Sequence, residues 1–141
     1  DSEVKMFSEY IFPSLTLLCS DADDIVKVQF ANELPMLVSN AHRLLGTLGD
    51  LGSTDNARKG SRSSPSSSVT APAQKMSTEK LESELYILRK EVSRILIELT
   101  TGSHASCMTI QAVLHQFSSF CVFFGEQETN NFLLPLLITF L

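Results

Sequence analysis

The sequence predicts an all-α fold: antiparallel helix pairs stacked side by side as a solenoid, with one disordered insertion between pairs. Residues 11–34, IFPSLTLLCSDADDIVKVQFANEL, read as a helix, a tight turn and a second helix. Pro13 sits inside the first helix, Asp21 ends it, and Val26-Lys27 opens the second. The unit recurs. Residues 133–141 (LLPLLITFL) repeat IFPSLTLL with Pro135 in the place of Pro13. Residues 94–124 repeat helix, turn and helix, with Leu99 in the place of Leu17, Ile110 of Val28 and Gln111 of Gln29. This middle copy lacks both the proline and the turn aspartate. A helix hairpin apolar on one face cannot bury that face alone, so copies of it must stack.

Taken in order, the first helix spans residues 2–19, with Val4, Phe7, Ile11, Leu15 and Leu18 at spacings of 3, 4, 4 and 3 on one stripe. Pro13 removes a backbone hydrogen bond and bends the helix at the preceding turn. Asp21, Asp23 and Asp24 then cluster ahead of the second helix, where carboxylates cap free amides and suit the positive end of the dipole. That helix spans residues 24–45, with Ile25, Val28, Ala31, Leu34, Val38, Ala41 and Leu45 recurring at three or four. Pro35 bends it and Gly46 stops it. The aliphatic-proline pair, the Leu-Leu that ends helix A, the turn Asp, the Val-Lys and the small Ala31 together form the pattern of a HEAT repeat.

From residue 46 to 76 Gly, Ser, Thr, Pro and Ala dominate without apolar period, so burial cannot offset the entropy of ordering, and the segment reads as disordered. Helix three starts at Ser77 or Thr78. Leu81, Leu85, Leu88, Val92, Ile95 and Leu99 form a strict heptad, which invites a coiled coil. Ile87, Leu96 and Ile97 widen that stripe, as a helix packed on two neighbours requires. Thr100-Thr101-Gly102 ends it, and Ser103 or Ser106 caps a fourth helix striped by Cys107, Ile110, Leu114, Phe117, Cys121 and Phe124. Gly125 stops that helix, and a fifth carries Phe132, Leu133, Leu136, Leu137 and Phe140. The implied domains are a first repeat at 1–45, the linker at 46–76, a second repeat at 77–125 and the first helix of a third at 126–141.

A chain of 141 residues can bury ~65–70% of the surface its unfolded form exposes. It starts without Met and stops inside an apolar run, which reads as a piece of something larger. The net charge is -5 and the basic residues form no stripe, so a nucleic-acid face is not expected. Cys19, Cys107 and Cys121 lie within helical patterns and read as buried thiols of a reducing compartment. Residues 133–141 are about half the ~20 apolar residues that a membrane span needs. The chain reads as cytosolic.

Catalytic sets are missing. His104, Cys107, His115 and Cys121 invite a zinc test, but at 100° per residue Cys107 and His115 stand about 80° apart and His115 and Cys121 about 240°. They cannot converge from one helix, and no CxxC or HExxH spacing is present. The GTLGDLG run from Gly46 to Gly52 follows a helix rather than a strand, so it is no phosphate loop. Asp23 and Asp24 are explained as helix-start residues. Ser64-Pro65, preceded by Arg58, Lys59 and Arg62, fits a phosphorylation site, although a solvated linker is the simpler reading. No residue is put forward as catalytic, cofactor-binding or metal-ligating.

Two phrases carry a closer resemblance. Glu9-Tyr10-Ile11-Phe12-Pro13, leading to Leu15 and Asp24-Ile25-Val26-Lys27, resembles the helical-repeat region of the regulatory, protein-kinase-like subunit of the class III phosphatidylinositol 3-kinase. Cys121-Val122-Phe123-Phe124-Gly125, followed by Ile138-Thr139-Phe140-Leu141, resembles the same region one repeat on. The resemblance is poor across residues 46–76. It implies a non-catalytic scaffold, with a kinase-like domain before it and a propeller after it. The implied partners are the lipid kinase catalytic subunit and a Beclin-type subunit, on endosomal and autophagic membranes. It transfers no kinase motif to these residues. Another HEAT adaptor, of phosphatase-scaffold or transport-receptor type, is the alternative.

Overall fold

The computed structural model describes residues 6–53 and 78–140. A π-helical turn, Met6–Ile11, leads into α1 (Phe12–Cys19), followed by α2 (Asp24–Ser53) and α3 (Thr78–Thr101). Next come α4 (Cys107–His115) and α5 (Phe117–Glu128). A second π-helical turn, Thr129–Leu133, leads into α6 (Leu134–Ile138). No strand occurs among the described residues.

Two long-range contacts set the directions of the helices. The Arg94 guanidinium donates to Thr16 Oγ1 at 2.9 Å, which places the C-terminal half of α3 beside the C-terminal half of α1. Lys27, in the first turn of α2, reaches the turn just before α4. Hence α1 runs parallel to α3, and α2 parallel to α4, with the short turns at residues 20–23 and 102–106 reversing the chain within each pair. One layer holds α1 and α3; the other holds α2 with α4 and α5, and α2 packs against all four. The fold is therefore the stacked antiparallel pairing that the spacing predicts.

The core runs along the seam between layers. Leu34, Ala31, Leu96 and Thr109 are fully buried, and Leu88, Val92, Ile95, Leu99 and Phe120 nearly so. Burying a Leu, Ile, Val or Phe side chain stabilises by about 1.5–3 kcal/mol, so these positions dominate the hydrophobic term. Thr109 is tolerated there because its hydroxyl pairs with Ser106 Oγ at 2.9 Å, and Thr100 because its hydroxyl donates to Leu96 O at 2.6 Å.

Both repeated prolines follow a π-helical turn. Pro13 is the second residue of α1 and Pro135 the second of α6. Proline has no N–H, and its ring crowds the carbonyl four residues back. A widened turn just before it relieves that crowding. The equivalence of Pro13 and Pro135 extends to backbone conformation.

Several expectations are corrected. Gly46 does not stop the second helix: α2 continues to Ser53, so residues 46–53 are helical rather than linker, and the GTLGDLG run lies inside the helix. A glycine ends a helix when it supplies a positive φ; within a helix it costs only about 1 kcal/mol against alanine. The rest of the segment expected to be disordered, and Ser64-Pro65, lie outside the described residues, as does Val4. Pro35 sits buried inside the continuous α2.

The stripe on α1 is rotated. Phe12 and Cys19 are buried, Ile11 and Leu15 half-buried, and Leu18 exposed. Leu17 is 74% exposed where Leu99 is 1%, so the two are not equivalent in packing: α3 packs against α1, α2 and α4, whereas α1 packs against α2 and α3 alone among the α-helices with substantial contact. The fourth helix is not continuous. It breaks at Gln116 into α4 and α5, and the buried side chains are Thr109, Ala112, Val113, Phe120 and Phe124 rather than Cys107 and Leu114. Ile97 is exposed, whereas Leu96 is buried outside the heptad, which is two-sided packing and not a coiled-coil seam.

Candidate functional site

The feature with most chemistry is the turn where the two hairpins meet. Each aspartate of the first turn has its own task. Asp21 Oδ1 accepts from the Asp23 amide and Asp23 Oδ1 from the Ile25 amide, both at 2.8 Å, which closes the turn and caps α2. Asp24 Oδ1 pairs with Lys27 Nζ at 2.9 Å, one helical turn on. Lys27 itself is 3% exposed, and its Nζ donates to the His104 carbonyl at 2.6 Å.

A buried ammonium is costly unless it is paired and hydrogen-bonded. Here Asp24 supplies the charge and His104 an oxygen with no place in a helix. The hydrogen bond from Lys27, helped by the Ser106 hydroxyl, holds the Asp24 carboxyl below the usual carboxylate range against the opposing effect of desolvation.

The far side of this turn is shaped by Gly102 and Ser106. The Gly102 amide donates to Glu98 O at 3.0 Å, and a Cβ at that position would overlap the same carbonyl. Ser106 caps α4, its Oγ accepting from the Thr109 amide at 3.3 Å. Ser106, not Ser103, is the cap. The His104 carbonyl is thereby presented to Lys27 by a turn that tolerates few other residues.

A second tie lies between α1 and α3. Arg94 holds Glu91 by two donors, at 2.9 and 2.6 Å, while reaching Thr16. Cys19 is buried close by. Burial, reinforced by the Glu98 carboxylate, pushes its thiol up from 9.0 to about 11, although Arg94 and a backbone hydrogen bond pull the other way. It is an inert core thiol. Cys107 is exposed and Cys121 half-buried, so the expectation of three buried thiols holds for Cys19 alone. Cys107 begins α4 with its side chain away from the seam.

Between α1, α2 and α3 lies an apolar groove of ≈ 190 Å³, bounded by Phe12, Leu37, Val38, Leu44 and Val92 among others. It contains no nucleophile, acid or base. His104 and Cys107, one exposed in the turn and one on α4, and His115 and Cys121 form no cluster; among the described residues no three His, Cys, Asp or Glu side chains are placed to share a metal ion. What the Lys27 junction can do is mechanical: it locks the rotation of one hairpin against the next. Lys27 is legible in the sequence by its repeat position but not by its partner. The signal available was a lone lysine on a helix stripe otherwise apolar on both sides.

The class defined by these features is a helical-repeat segment whose polar interior groups act as ties between repeats. The chain belongs to the PIK3R4-like family as its middle domain, whose family model matches residues 1–141. It is similar to the serine/threonine-protein kinase VPS15 of Arabidopsis thaliana, 31% identical over 149 residues, covering 99% of this chain and 9% of that protein. It is equally similar, at 31% over 142 residues, to the probable serine/threonine-protein kinase vps15 of Dictyostelium discoideum, covering 99% and 7%. The chain thus spans under a tenth of the curated relatives it matches. It is a VPS15-like regulatory-subunit region, and as a middle domain it is non-catalytic. No solved structure matches it.

Proposed function

We propose that this chain is a scaffold segment of the regulatory subunit of a class III phosphatidylinositol 3-kinase complex, built from HEAT-type repeats. The repeats would be the pairs α1–α2 and α3 with α4–α5, with α6 opening a third. The segment holds the lipid kinase catalytic subunit and a Beclin-type subunit in a working arrangement for autophagy and endosomal or vacuolar sorting. The complex is cytoplasmic and meets membranes peripherally; among the described residues no single helix is long and apolar enough to cross one.

The observation that carries this reading is the Lys27–His104 junction within one uninterrupted core, together with the family match. A protein that sets distances between partners needs repeats that do not rotate freely. Affinity capture of the full-length protein tests it. The lipid kinase catalytic subunit should be recovered, and Leu96→Asp, which breaks the seam, should reduce its recovery. Recovery of a phosphatase catalytic subunit or a transport cargo instead would favour the other type of HEAT adaptor.

A further inference from the structure

A second cleft, ≈ 370 Å³, lies further along α2 from Lys27, near the middle of α2 and α3. It is lined by Ser39 and His42 of α2, Arg89 of α3, and Val122, Phe123 and Gly125 of α5. Its two ionisable side chains are basic, and no carboxylate lines it. In a chain with 16 acidic and 11 basic residues, Arg89 has no ion-pair partner among the described residues, whereas Arg94 holds Glu91 and Lys27 holds Asp24. His42 is fixed edge-on against Phe123, ring centroids 6.1 Å apart, and Phe123 leans on Phe124 at 5.0 Å. Val122 is 86% exposed, more than any other large apolar side chain described. At Gly125 the chain turns with φ 77, and open space surrounds the position where a Cβ would stand.

A cleft with donors on one wall and an exposed aliphatic beside a phenylalanine on the other fits a ligand that is anionic and apolar at adjacent points. We propose that it is a docking site for a partner protein segment that carries an Asp or Glu beside an apolar side chain. Arg89 and His42 take the carboxylate; Val122 and Phe123 take the apolar group. The surroundings select against a membrane surface. Glu126 and Glu128 are exposed just beyond Gly125, so an anionic surface that spreads past the cleft, as a bilayer does, would meet these carboxylates, whereas a single carboxylate reaching Arg89 and His42 need not.

The test uses the full-length protein in cells, with a photo-crosslinking amino acid in place of the exposed Gln127. The same protein is prepared with Arg89→Glu, Arg89→Lys or Val122→Asp, and crosslinked peptides are sequenced by mass spectrometry. The expected product is a partner peptide with Asp or Glu next to an apolar residue. Its yield should fall about tenfold in Arg89→Glu, the loss expected of a charge-assisted hydrogen bond. It should also fall in Val122→Asp and largely persist in Arg89→Lys. Arg89 and Val122 are exposed, so unchanged helicity of these variants separates lost docking from lost folding.

The proposal is overturned by any of four results. The first is absence of crosslinks, and the second is crosslinks indifferent to Arg89→Glu. The third is crosslinked peptides that lack a carboxylate or are phosphorylated. The fourth is binding to phosphatidylcholine–phosphatidylserine vesicles that Arg89→Glu abolishes. None of these results depends on which complex the protein joins, so failure here would leave the scaffold reading standing.

Discussion

The Lys27 ammonium and the His104 carbonyl lie 2.6 Å apart across 77 positions of sequence, and through them the first hairpin is fastened to the turn of the second. Asp24, on the helical turn before Lys27, supplies the balancing charge. The two groups together turn a polar necessity, satisfying a carbonyl that no helix can use, into a fixed register between neighbours.

Lys27→Met should therefore destabilise the protein by about 1–3 kcal/mol, because the His104 carbonyl loses its donor while the apolar stem is kept. Urea unfolding followed by circular dichroism measures it. A loss below about 0.5 kcal/mol, the scale of an ordinary surface change, would mean that the tie carries no weight.

Two glycines should respond with opposite signs. Gly125 adopts φ 77 and ψ 176, a region that is essentially glycine's alone, so Gly125→Ala should cost about 1–3 kcal/mol despite the open space around it. Gly46 lies within α2 with nothing within 4 Å of an added Cβ, so Gly46→Ala should stabilise by about 0.4–1 kcal/mol. Thermal melts of the pair decide it. Equal signs would contradict either the break at Gly125 or the continuity of α2.

On α3, neighbouring residues separate two-sided packing from a coiled-coil seam. Leu96→Ala should cost about 2–5 kcal/mol, since Leu96 is 0% exposed, and Ile97→Ala well under half of that. Comparable losses at both positions in denaturant titrations would place the seam elsewhere.

The thiols predict both an order of reactivity and a pH dependence. Cys107 should alkylate first, Cys121 next and Cys19 only on unfolding, which mass spectrometry of a labelling time course resolves. Because the folded-state value of Cys19 is raised, the unfolded chain ionises first as pH rises. Its contribution to stability is complete below about pH 9 and is lost as pH climbs towards 11. Cys19→Ala should flatten that alkaline slope.

Asp24 works in the opposite direction. Its folded-state value lies below the ordinary 3.8, so its contribution is present above that value and is lost as pH falls through the lower one. Asp24→Asn should weaken the acid dependence of unfolding below pH 3.8 and leave the profile near neutrality unchanged in shape. A variant whose acid limb matched that of the parent would remove the Lys27 pairing as its cause.

The local grammar of this chain was legible without coordinates. Periodic Leu, Ile and Val marked α3, Ser103 and Ser106 offered the start of α4, Gly125 marked a break, and Pro13 and Pro135 marked equivalent points of a repeated unit. These are decided within a few residues, by propensity, caps and steric limits on φ. The sequence also showed, through the family resemblance, what kind of subunit the region belongs to.

What only the packing decided is which side of each stripe faces the seam, where α2 ends, and what Lys27 touches. A stripe read at 100° per residue spreads over a broad arc, so the neighbours choose between Phe12 and Leu18, Leu96 and Ile97, or Val113 and Leu114. Gly46 carries no instruction to stop unless the chain needs a positive φ there. And a carbonyl 77 residues away leaves no trace in local spacing: its demand for a donor arises only once the second hairpin has folded against the first.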